Sequence, residues 1–439
     1  MLFVRTFKNG VHPSDQKKAT MKKPIRIILP EKGSEVVYPM QQHLGAPAKP
    51  VVASGDRVLL GQRIAEMGGR VSSPIHASVS GVVSAIEPRL TPTGLVSQSV
   101  IIENDGLMLE DKSLATREDW RSLSREEIID IVRDAGVVGL GGAGFPTHIK
   151  MSPPDYTKID CFIVNAAECE PYLTSDYRVL IEETDRLLEG VEVMLGVFPN
   201  AEAVIAIETN KMEAVNRLSA LVKRNPRVDV VPLYTKYPQG AEKQLINAVT
   251  GRVVPKGGLP ADVGVVVNNA DTVIAVHRSV VRGRPLMRRI VTVSGGAVMN
   301  KGNYKVRIGM PISGLIEATG GFREEPAKVL CGGPMMGFAM YDLDAPIIKT
   351  SSAIVALTER EARLPEQSGC IRCGKCVEHC PMGLMPLELN KFAIAADYGK
   401  FEEYDGSSCI ECGCCTYICP AKRHLAQSIK TAKRLARSR

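Results

Sequence analysis

The chain has 439 residues, which is more than one compact core usually holds, so the sequence predicts several domains. Hydrophobic residues make up 44% of it and charged residues 23%, which is ordinary for a soluble globular protein. No apolar run approaches the ~20 residues of a bilayer-spanning helix, so a membrane-spanning protein is not expected.

Residues 1–112 are predicted to form an all-β domain, because short β-rich runs alternate there with turns of Gly, Pro, Asp and Ser. The opening residues, MLFVRTFKNG, lack the apolar segment and the cleavage site of a secretory signal. Residues 50–62 and 73–83 resemble the barrel-sandwich hybrid of biotinyl and lipoyl domains. The carrier lysine of those domains has no counterpart here, so the resemblance implies a structural or docking role.

Residues 113–290 are predicted to form an α/β domain, because strand and helix patterns alternate along them. The first helix, residues 124–134, is predicted to begin with a capping box of Ser124 and Glu127. The later elements are strands at 161–165 and 203–208 and helices at 177–195 and 211–224.

Residues 291–345 are β-rich again, and residues 293–306 resemble the soluble-ligand-binding β-grasp domain. Residues 346–439 are predicted to form a helical domain, with helices at 386–398 and 423–435. The expected fold class is therefore a multidomain chain that combines α/β, β and helical units.

The end of the chain, residues 421–439, carries seven lysines or arginines and no acidic residue. It is interpreted as a solvated basic tail or, alternatively, as a tail that touches anionic lipid or an acidic partner. Nucleic acid is not expected as a partner, because aromatic residues are not interleaved with these charges and no binding motif precedes them.

Nine of the twelve cysteines lie between Cys370 and Cys419, which favours metal binding over a disulfide framework in a chain of this size. Eight of these nine form two runs with the spacing Cys-x2-Cys-x2-Cys-x3-Cys-Pro, which are Cys370, Cys373, Cys376 and Cys380, and Cys409, Cys412, Cys415 and Cys419. This spacing is typical of two [4Fe–4S] clusters, each of which takes three thiolates from one run and a fourth from the other. Cys419 is thus predicted to complete the first cluster and Cys380 the second.

Paired zinc sites are the alternative, since zinc ribbons also use Cys-x2-Cys pairs. Zinc requires neither the third cysteine of each run nor the Cys-Pro ending, so iron–sulfur clusters are favoured. Cys414, within the second run, is expected to point away from the cluster, and His379 is expected at the surface. Residues 346–439 are therefore predicted to be a helical ferredoxin domain. Clusters that exchange ligands must lie close together, so this domain is predicted to conduct electrons.

A glycine-dense segment at residues 136–150 offers backbone amides that can approach a phosphate, with Lys150 to pair with it. Its spacing is not the Gly-x-Gly-x-x-Gly of dinucleotide-binding folds, so the loop alone leaves a structural turn equally open.

Four blocks together resemble the NADH-oxidising flavoprotein subunit of respiratory complex I, over residues 125–345. The segment 139–150 resembles its flavin loop. The sequences VNAAECEP at 164–171, YPQGAE at 237–242 and VNNADT at 267–272 resemble three further motifs of that subunit.

This resemblance implies that FMN is held by Gly139, Gly141, Gly142, Lys150, Asn165, Asn268, Asn269 and Thr272. It implies that NAD(H) is contacted by Phe145, Glu170, Glu242 and Lys256. Gly144, Glu168 and Tyr237 belong to the same motifs and are expected among the cofactor-binding residues. Three positions depart from the motifs: His148 replaces a Gly, Ala167 an Asp and Ala241 a Glu.

Residues 7–17 and 165–178 resemble the C subunit of Rnf-type ion-translocating electron-transport complexes, and that resemblance extends over the whole chain. It implies that electrons pass between NAD(H), FMN and two [4Fe–4S] clusters. It also implies a peripheral place on the cytoplasmic face of the membrane, with the other subunits and a ferredoxin-like carrier subunit as partners. Two alternatives remain: an electron relay with a vestigial flavin fold, and a flavin subunit of a soluble NAD-linked hydrogenase or formate dehydrogenase.

Overall fold

The computed structural model describes residues 4–437, so the start of the chain and Arg439 of the basic tail lie outside the described residues. Within residues 4–437, no helix combines the length and the apolar character that crossing a bilayer requires.

The N-terminal unit is built from short strands in two small sheets that share one core. Strands β2, β8, β7 and β4 form the first sheet and β3, β5 and β6 the second. Alternate side chains such as Val36 and Tyr38 are buried between them. The strands of this region are β1 (Ile25–Ile27), β2 (Glu35–Pro39), β3 (Lys49–Pro50), β4 (Arg57–Val58), β5 (Arg63–Glu66), β6 (Ile75–His76), β7 (Gly81–Leu90) and β8 (Val96–Asn104).

Strand β1 belongs to a different sheet from its neighbours in sequence. It pairs in parallel with residues 303–305 of the third unit. Long-range strand pairing of this kind leaves no local sequence signal, so the prediction of one self-contained β domain over residues 1–112 did not include it.

The second unit is the predicted α/β domain, with a parallel sheet in the order β11-β10-β9-β12. Its first helix begins with the predicted capping box of Ser124 and Glu127, which is confirmed. The elements are α1 (Arg125–Asp134), α2 (Thr147–Lys150), β9 (Cys161–Ala166), α3 (Ser175–Glu182), α4 (Thr184–Val197), β10 (Glu202–Glu208), α5 (Met212–Val222), β11 (Val228–Leu233), α6 (Glu242–Thr250), β12 (Val265–Asn269) and α7 (Ala270–Val280).

The single helix predicted at residues 177–195 is wrong, because the chain breaks between α3 and α4 at Glu183. The Glu183 carboxylate is buried there and accepts from cationic side chains on four different elements. These cations are Arg186, Arg278, Arg288 and Lys305, at 3.0–3.2 Å.

The third unit is a six-stranded mixed sheet in the order β1-β14-β13-β17-β15-β16. Strand β17 lies within the range 346–439 expected for the C-terminal domain, yet it pairs with β13 and β15 in the middle of this sheet. The sheet therefore extends past residue 345. Its elements are β13 (Arg288–Ser294), β14 (Gly302–Arg307), α8 (Ile312–Ala318), β15 (Lys328–Cys331), β16 (Phe338–Met340) and β17 (Ala353–Leu357).

The C-terminal unit is helical, and its two cysteine loops each end in a short helix. The helix predicted at residues 386–398 is split by a turn, and the one predicted at 423–435 begins and ends two residues later. The helices are α9 (Glu359–Ala362), α10 (Lys375–Glu378), α11 (Pro386–Ile394), α12 (Tyr398–Glu403), α13 (Cys414–Ile418) and α14 (Leu425–Arg437).

Candidate electron-transfer site

The site begins at the carboxyl edge of the parallel sheet of the second unit. The chain proceeds from β9 to β10 and β11 on one side, and then returns to place β12 on the other side of β9. Such a reversal opens a crevice outside the carboxyl ends of the neighbouring strands β9 and β12. Asn165 and Asn269 are paired in register at this point, so the predicted asparagines meet at the crevice.

The glycine loop is anchored to this edge by its first residues. Leu140 N donates to Thr272 Oγ1 at 2.9 Å, and the buried Arg289 donates to Leu140 O at 2.9 Å. Arg289 also pairs with Asp271 at 2.8 Å, within the first turn of α7. The loop is therefore fixed at its base, while Gly141 and Gly142 at its tip remain exposed.

Asn269 closes the space beneath the loop. Its side chain caps α7 by accepting from the amides of Asp271 and Thr272, and its Nδ2 donates to Asp176 at 2.6 Å. A Cβ at Gly141 would lie 2.9 Å from this amide, so only glycine allows the loop to approach so closely.

The neighbouring domains support the outer part of the loop. Gly139 N donates to Phe145 O at 2.9 Å, which closes the loop on itself, and Phe145 is half-buried. Leu44 N, from the N-terminal unit, donates to Gly144 O at 3.2 Å. The N-terminal β unit therefore contacts the glycine loop directly.

The residues at this edge fit FMN, which has a phosphate at one end and a flavin ring with hydrogen-bonding edges at the other. Gly141 and Gly142 are exposed, and nothing lies within 4 Å of the position that a Cβ would take at Gly142. The Nδ2 of Asn268 is buried and has no hydrogen-bond partner, which is a free donor inside the crevice. Both features suit an anionic, acceptor-rich ligand.

Lys150 and Glu242, which are implied to contact different ligands, bind each other. Lys150 Nζ lies 2.6 Å from Glu242 Oε1 and also donates to Val267 O at 3.2 Å. Both side chains remain about one-third exposed, so a ligand can reach them. Asn165, by contrast, donates to Gly240 O at 2.8 Å and accepts from Ala167 N, and thereby orders its own strand end.

The acidic block after β9 is held from within the protein. Glu168 is buried, and its Oε1 accepts from the Asp176 amide at 2.8 Å. The buried Lys17 donates to the carbonyl of Glu168 at 2.7 Å and to that of Glu170 at 2.9 Å. Burial lowers the pKa of Lys17, although the nearby Glu168 charge opposes this. Burial, with the charges of Glu168 and Asp271, raises the pKa of Asp176.

Glu170 has partners in the third unit. Its carboxylate accepts from the amides of Met335 at 3.1 Å and Met336 at 2.9 Å. Burial raises the pKa of Glu170 to about 7, although the hydrogen bonds from the two backbone amides act to lower this pKa. The carboxylate that the resemblance implies to contact NAD(H) thus holds a turn of the protein here.

Tyr237 and Lys256 lie against the C-terminal unit. Tyr237 is buried, and its hydroxyl donates to the carbonyl of Cys412 at 2.8 Å. Lys256 is exposed and forms an ion pair with Asp405. Both residues therefore connect the second unit to the C-terminal unit, and Tyr237 reaches the second cysteine loop itself.

Cys380, from the first run, shares a cavity with the second run. This cavity is lined by Cys380, Cys409, Cys412 and Cys415, together with apolar side chains of α11 and α14. Its thiols also receive amide donors, as Leu384 N lies 3.4 Å from Cys380 Sγ. Cys414, expected to point away, also lines this cavity.

The other four cysteines of the two runs do not line this cavity. Cys370 and Cys373 are exposed, whereas Cys419 is buried. Burial raises the pKa of the Cys376 thiol, and the charge of Cys419 acts in the same direction. Among residues 4–437, no three Cys, His, Asp or Glu side chains converge on the position of one ion.

Sequence reasoning missed Lys17, Asp176 and Arg289. Lys17 and Asp176 lie within the two segments that resemble the Rnf C subunit. That resemblance drew attention to these positions but did not indicate what the two side chains do. Arg289 lies outside every motif, and only the fold brings it to Leu140.

Family models match four stretches of the chain and confirm the expected fold class. They describe an RnfC barrel sandwich hybrid domain at residues 5–107, a Nuo51 FMN-binding domain at 132–278, an SLBB domain at 290–339 and a 4Fe-4S dicluster domain at 369–422. The dicluster match favours iron–sulfur clusters over the zinc alternative.

Similar proteins extend over nearly the whole chain. The C subunit of the proton-translocating ferredoxin:NAD(+) oxidoreductase complex of Clostridium ljungdahlii is 47% identical over 98% of this chain and 94% of that protein. The C subunit of the Na(+)-translocating complex of Acetobacterium woodii is 44% identical over 98% and 96%. The C subunit of the ion-translocating oxidoreductase complex of Vibrio cholerae is 38% identical, but this chain covers only 52% of it.

Among solved structures, an NAD+-reducing [NiFe]-hydrogenase in the air-oxidized state has a TM-score of 0.51 at 21% identity, over 65% of this chain and 55% of that chain. This likeness shows a shared fold. The near full-length relatives decide the family: the chain belongs to the C subunits of ion-translocating, Rnf-type ferredoxin:NAD(+) oxidoreductase complexes.

Proposed function

We propose that this chain exchanges electrons with NAD(H) through FMN and passes them singly through two [4Fe–4S] clusters to a ferredoxin-like carrier subunit. One observation carries the proposal. The unit with the FMN-binding edge directly contacts the cysteine set of Cys380, Cys409, Cys412 and Cys415, through the bond from Tyr237 to Cys412.

The chemistry of the bound flavin is to accept two electrons as hydride and to release them one at a time. The chain's own residues hold it: the backbone amides of Gly141 and Gly142 and the ammonium of Lys150 suit its phosphate. Asn268 offers the free donor to its ring. The full set proposed for FMN is Gly139, Gly141, Gly142, Lys150, Asn165, Asn268, Asn269 and Thr272. Gly144, Glu168 and Tyr237 are proposed as cofactor-binding residues without assignment to FMN or NAD(H).

For NAD(H), we propose Phe145, Glu170, Glu242 and Lys256. Phe145 is half-buried on the loop and offers a ring on which a nicotinamide can stack. Glu242 is one-third exposed beside Lys150, where it can accept from a ribose hydroxyl. Glu170 would act by holding the Met335 turn as well as by direct contact.

The two cysteine sets are proposed as ligands of the two clusters. The second unit is called the flavin unit from here on. Cys380, Cys409, Cys412 and Cys415 would hold the cluster next to it, the inner cluster. Cys370, Cys373, Cys376 and Cys419 would hold the outer one. Since Cys370 and Cys373 are exposed, the outer cluster is the one that an electron-carrier protein can approach.

The chain is proposed to lie at the cytoplasmic face of the membrane, held there by its partner subunits. The relatives are named as subunits of ion-translocating complexes, and such complexes act across a membrane. NAD(H) and ferredoxin, which those names include, are cytoplasmic reactants.

Anaerobic purification with iron, sulfide and flavin quantified, followed by titration with NADH, tests the proposal. We expect about eight irons and eight sulfides per chain from two cubane clusters. FMN should be released on denaturation, and NADH should bleach first the flavin absorbance and then the cluster absorbance. Full iron with no flavin would instead support the electron-relay alternative.

A further inference from the structure

The first described residues form a strap across the second and C-terminal units. We define the N-terminal strap as residues 5–17. It runs beside the chain that follows β11, with Arg5 N donating to Pro232 O at 3.0 Å and Tyr234 N to Arg5 O at 2.9 Å. Val11 and Tyr237 exchange both backbone hydrogen bonds, at 2.8 and 2.9 Å. The strap is thus attached to the flavin unit along its length.

Lys236 fastens the middle of the strap. Its Nζ donates to the carbonyl of Phe7 and, at 3.0 Å, to that of Asn9. The same ammonium lies 3.9 Å from the centre of the Phe7 ring, which is buried. The middle of the strap is therefore held by charge as well as by backbone pairing.

The other edge of the strap contacts the loop that carries Cys380. Asn9 Nδ2 donates to the carbonyl of Cys380 at 3.0 Å, and Gly10 N donates to that of His379 at 3.2 Å. Val11 is buried in one apolar cluster with Tyr237 and Cys412. The strap thus meets both loops that line the Cys380 cavity.

The Asn-Gly pair makes this contact possible. Asn9 and Gly10 both have positive φ, 67° and 83°. A Cβ at Gly10 would lie 2.6 Å from Tyr237 O, so only glycine lets the strap pass between the flavin unit and the cysteine loop.

The far end of the strap enters the flavin unit. Lys17 is almost fully buried, and its Nζ donates to the carbonyls of Glu168, Glu170 and Leu173. Tyr172 N donates to Asp15 O at 2.8 Å. The acidic block after β9 and the Cys380 loop are therefore held by one continuous segment.

We propose that the N-terminal strap sets the position of the Cys380 loop relative to the flavin edge, and that Asn9, Gly10 and Lys236 are positioning residues for electron transfer between them. The electron-transfer part of this inference rests on the proposed function. Apart from the strap, Gln244 contacts the same loop, by donating to Pro381 O at 3.1 Å. Loss of the strap would thus leave that loop with few polar contacts to the flavin unit.

The test uses three variants of the full chain, purified without oxygen. Gly10→Ala displaces the strap, whereas Asn9→Gly removes the bond to Cys380 in a backbone that glycine adopts freely. Lys8→Ala is the matched control, since Lys8 is exposed on the same segment. Hydrogen exchange at residues 379–384 and stopped-flow mixing with NADH are measured on each.

For Gly10→Ala we expect faster exchange at residues 379–384, flavin bleaching at the rate of the unchanged protein, and cluster reduction slowed several-fold, because electron transfer slows as the flavin edge and the cysteine loop move apart. Asn9→Gly should also speed the exchange at residues 379–384 and slow the cluster reduction, but by less. Lys8→Ala should change neither.

Unchanged exchange and unchanged cluster reduction in both strap variants would overturn the proposal, as would equal slowing of the flavin and cluster phases. If Gly10→Ala does not fold, Asn9→Gly decides. Absence of flavin bleaching in the unchanged protein would refute the proposed function instead, and the exchange measurement would still decide whether the strap positions the loop.

Discussion

The two cysteine sets have nearly the same local structure and very different surroundings. Arg372 and Glu411 hold equivalent positions with φ of 53° and 60°, and Gly374 and Gly413 follow with φ of 75° and 79°. The set that includes Cys380 is nevertheless enclosed against the flavin unit, while the other exposes Cys370 and Cys373. The spacing of the cysteines therefore determines loop shape, and the surrounding domains determine which cluster faces outward.

One residue shows how the two environments differ. The position after the glycine is Lys375 in the first loop, where it is exposed, and Cys414 in the second, where it is fully buried beside Tyr237. A lysine at that position could not be buried against the flavin unit without a partner for its charge. The choice of side chain after the glycine thus predicts which loop faces inward.

The largest expected effect comes from Cys380→Ser. Although Cys380 belongs to the first run, its sulfur lies in the cavity of the second run. We expect the loss of the inner cluster, about four of eight irons, with the outer cluster retained. Iron analysis and electron paramagnetic resonance of the reduced protein measure this.

Cys370→Ser is the matched comparison for that prediction, because it should remove the outer cluster alone. If Cys380→Ser and Cys370→Ser gave the same residual spectrum, the assignment of Cys380 to the second run would be wrong.

A smaller effect is expected at the flavin edge, where Lys150→Met removes the ammonium that lies beside Glu242 and Val267 O. A hydrogen bond to a charged group contributes about 1.5–3 kcal/mol, so FMN should bind about 10–100-fold more weakly. Both clusters should assemble, since Lys150 contacts neither cysteine loop. Fluorescence titration of FMN into the flavin-free protein measures the affinity.

Lys243→Met serves as the control, because Lys243 is on the same helix as Glu242 and donates only to the exposed Pro255 carbonyl. Equal FMN affinity in the Lys150 and Lys243 variants would exclude Lys150 from the flavin site. The conclusion that one cysteine set is enclosed and the other exposed would not be affected.

Local patterns predicted much of this molecule. The cysteine spacing, the glycine loop and the capping box at Ser124 depend on neighbours a few residues apart, and the structure reproduces their positions. Features that depend on distant partners were not predictable. Strand β1 pairs with β14, and the break at Glu183 depends on cations from later elements. The contacts of Lys17 span about 150 residues, so its role could not be derived from the spacing of motifs.

The smallest expected effect concerns pH, and it applies to the inner cysteine set alone. Glu170 accepts from the Met335 and Met336 amides, and Met335 packs with Cys412 and Cys414. Because burial raises the pKa of Glu170 to about 7, the folded protein holds its proton more tightly than the unfolded chain does. The protonated Glu170 carboxyl therefore adds to the free energy of unfolding. This contribution is complete below the unfolded pKa of about 4.3 and is lost as the pH rises to about 7.

We therefore expect the melting temperature to fall between about pH 5 and pH 8 by more in the unchanged protein than in Glu170→Gln, whose amide carries no titrating proton. Glu366→Gln, at an exposed position, should retain the full pH dependence. Hydrogen exchange at residues 335–336 and 412–415 should follow the same trend, while residues 370–376 should not respond. If the melting temperatures of the unchanged protein and of Glu170→Gln followed the same pH dependence, the Glu170 carboxyl would not be the cause of a pH response at the inner cysteine set.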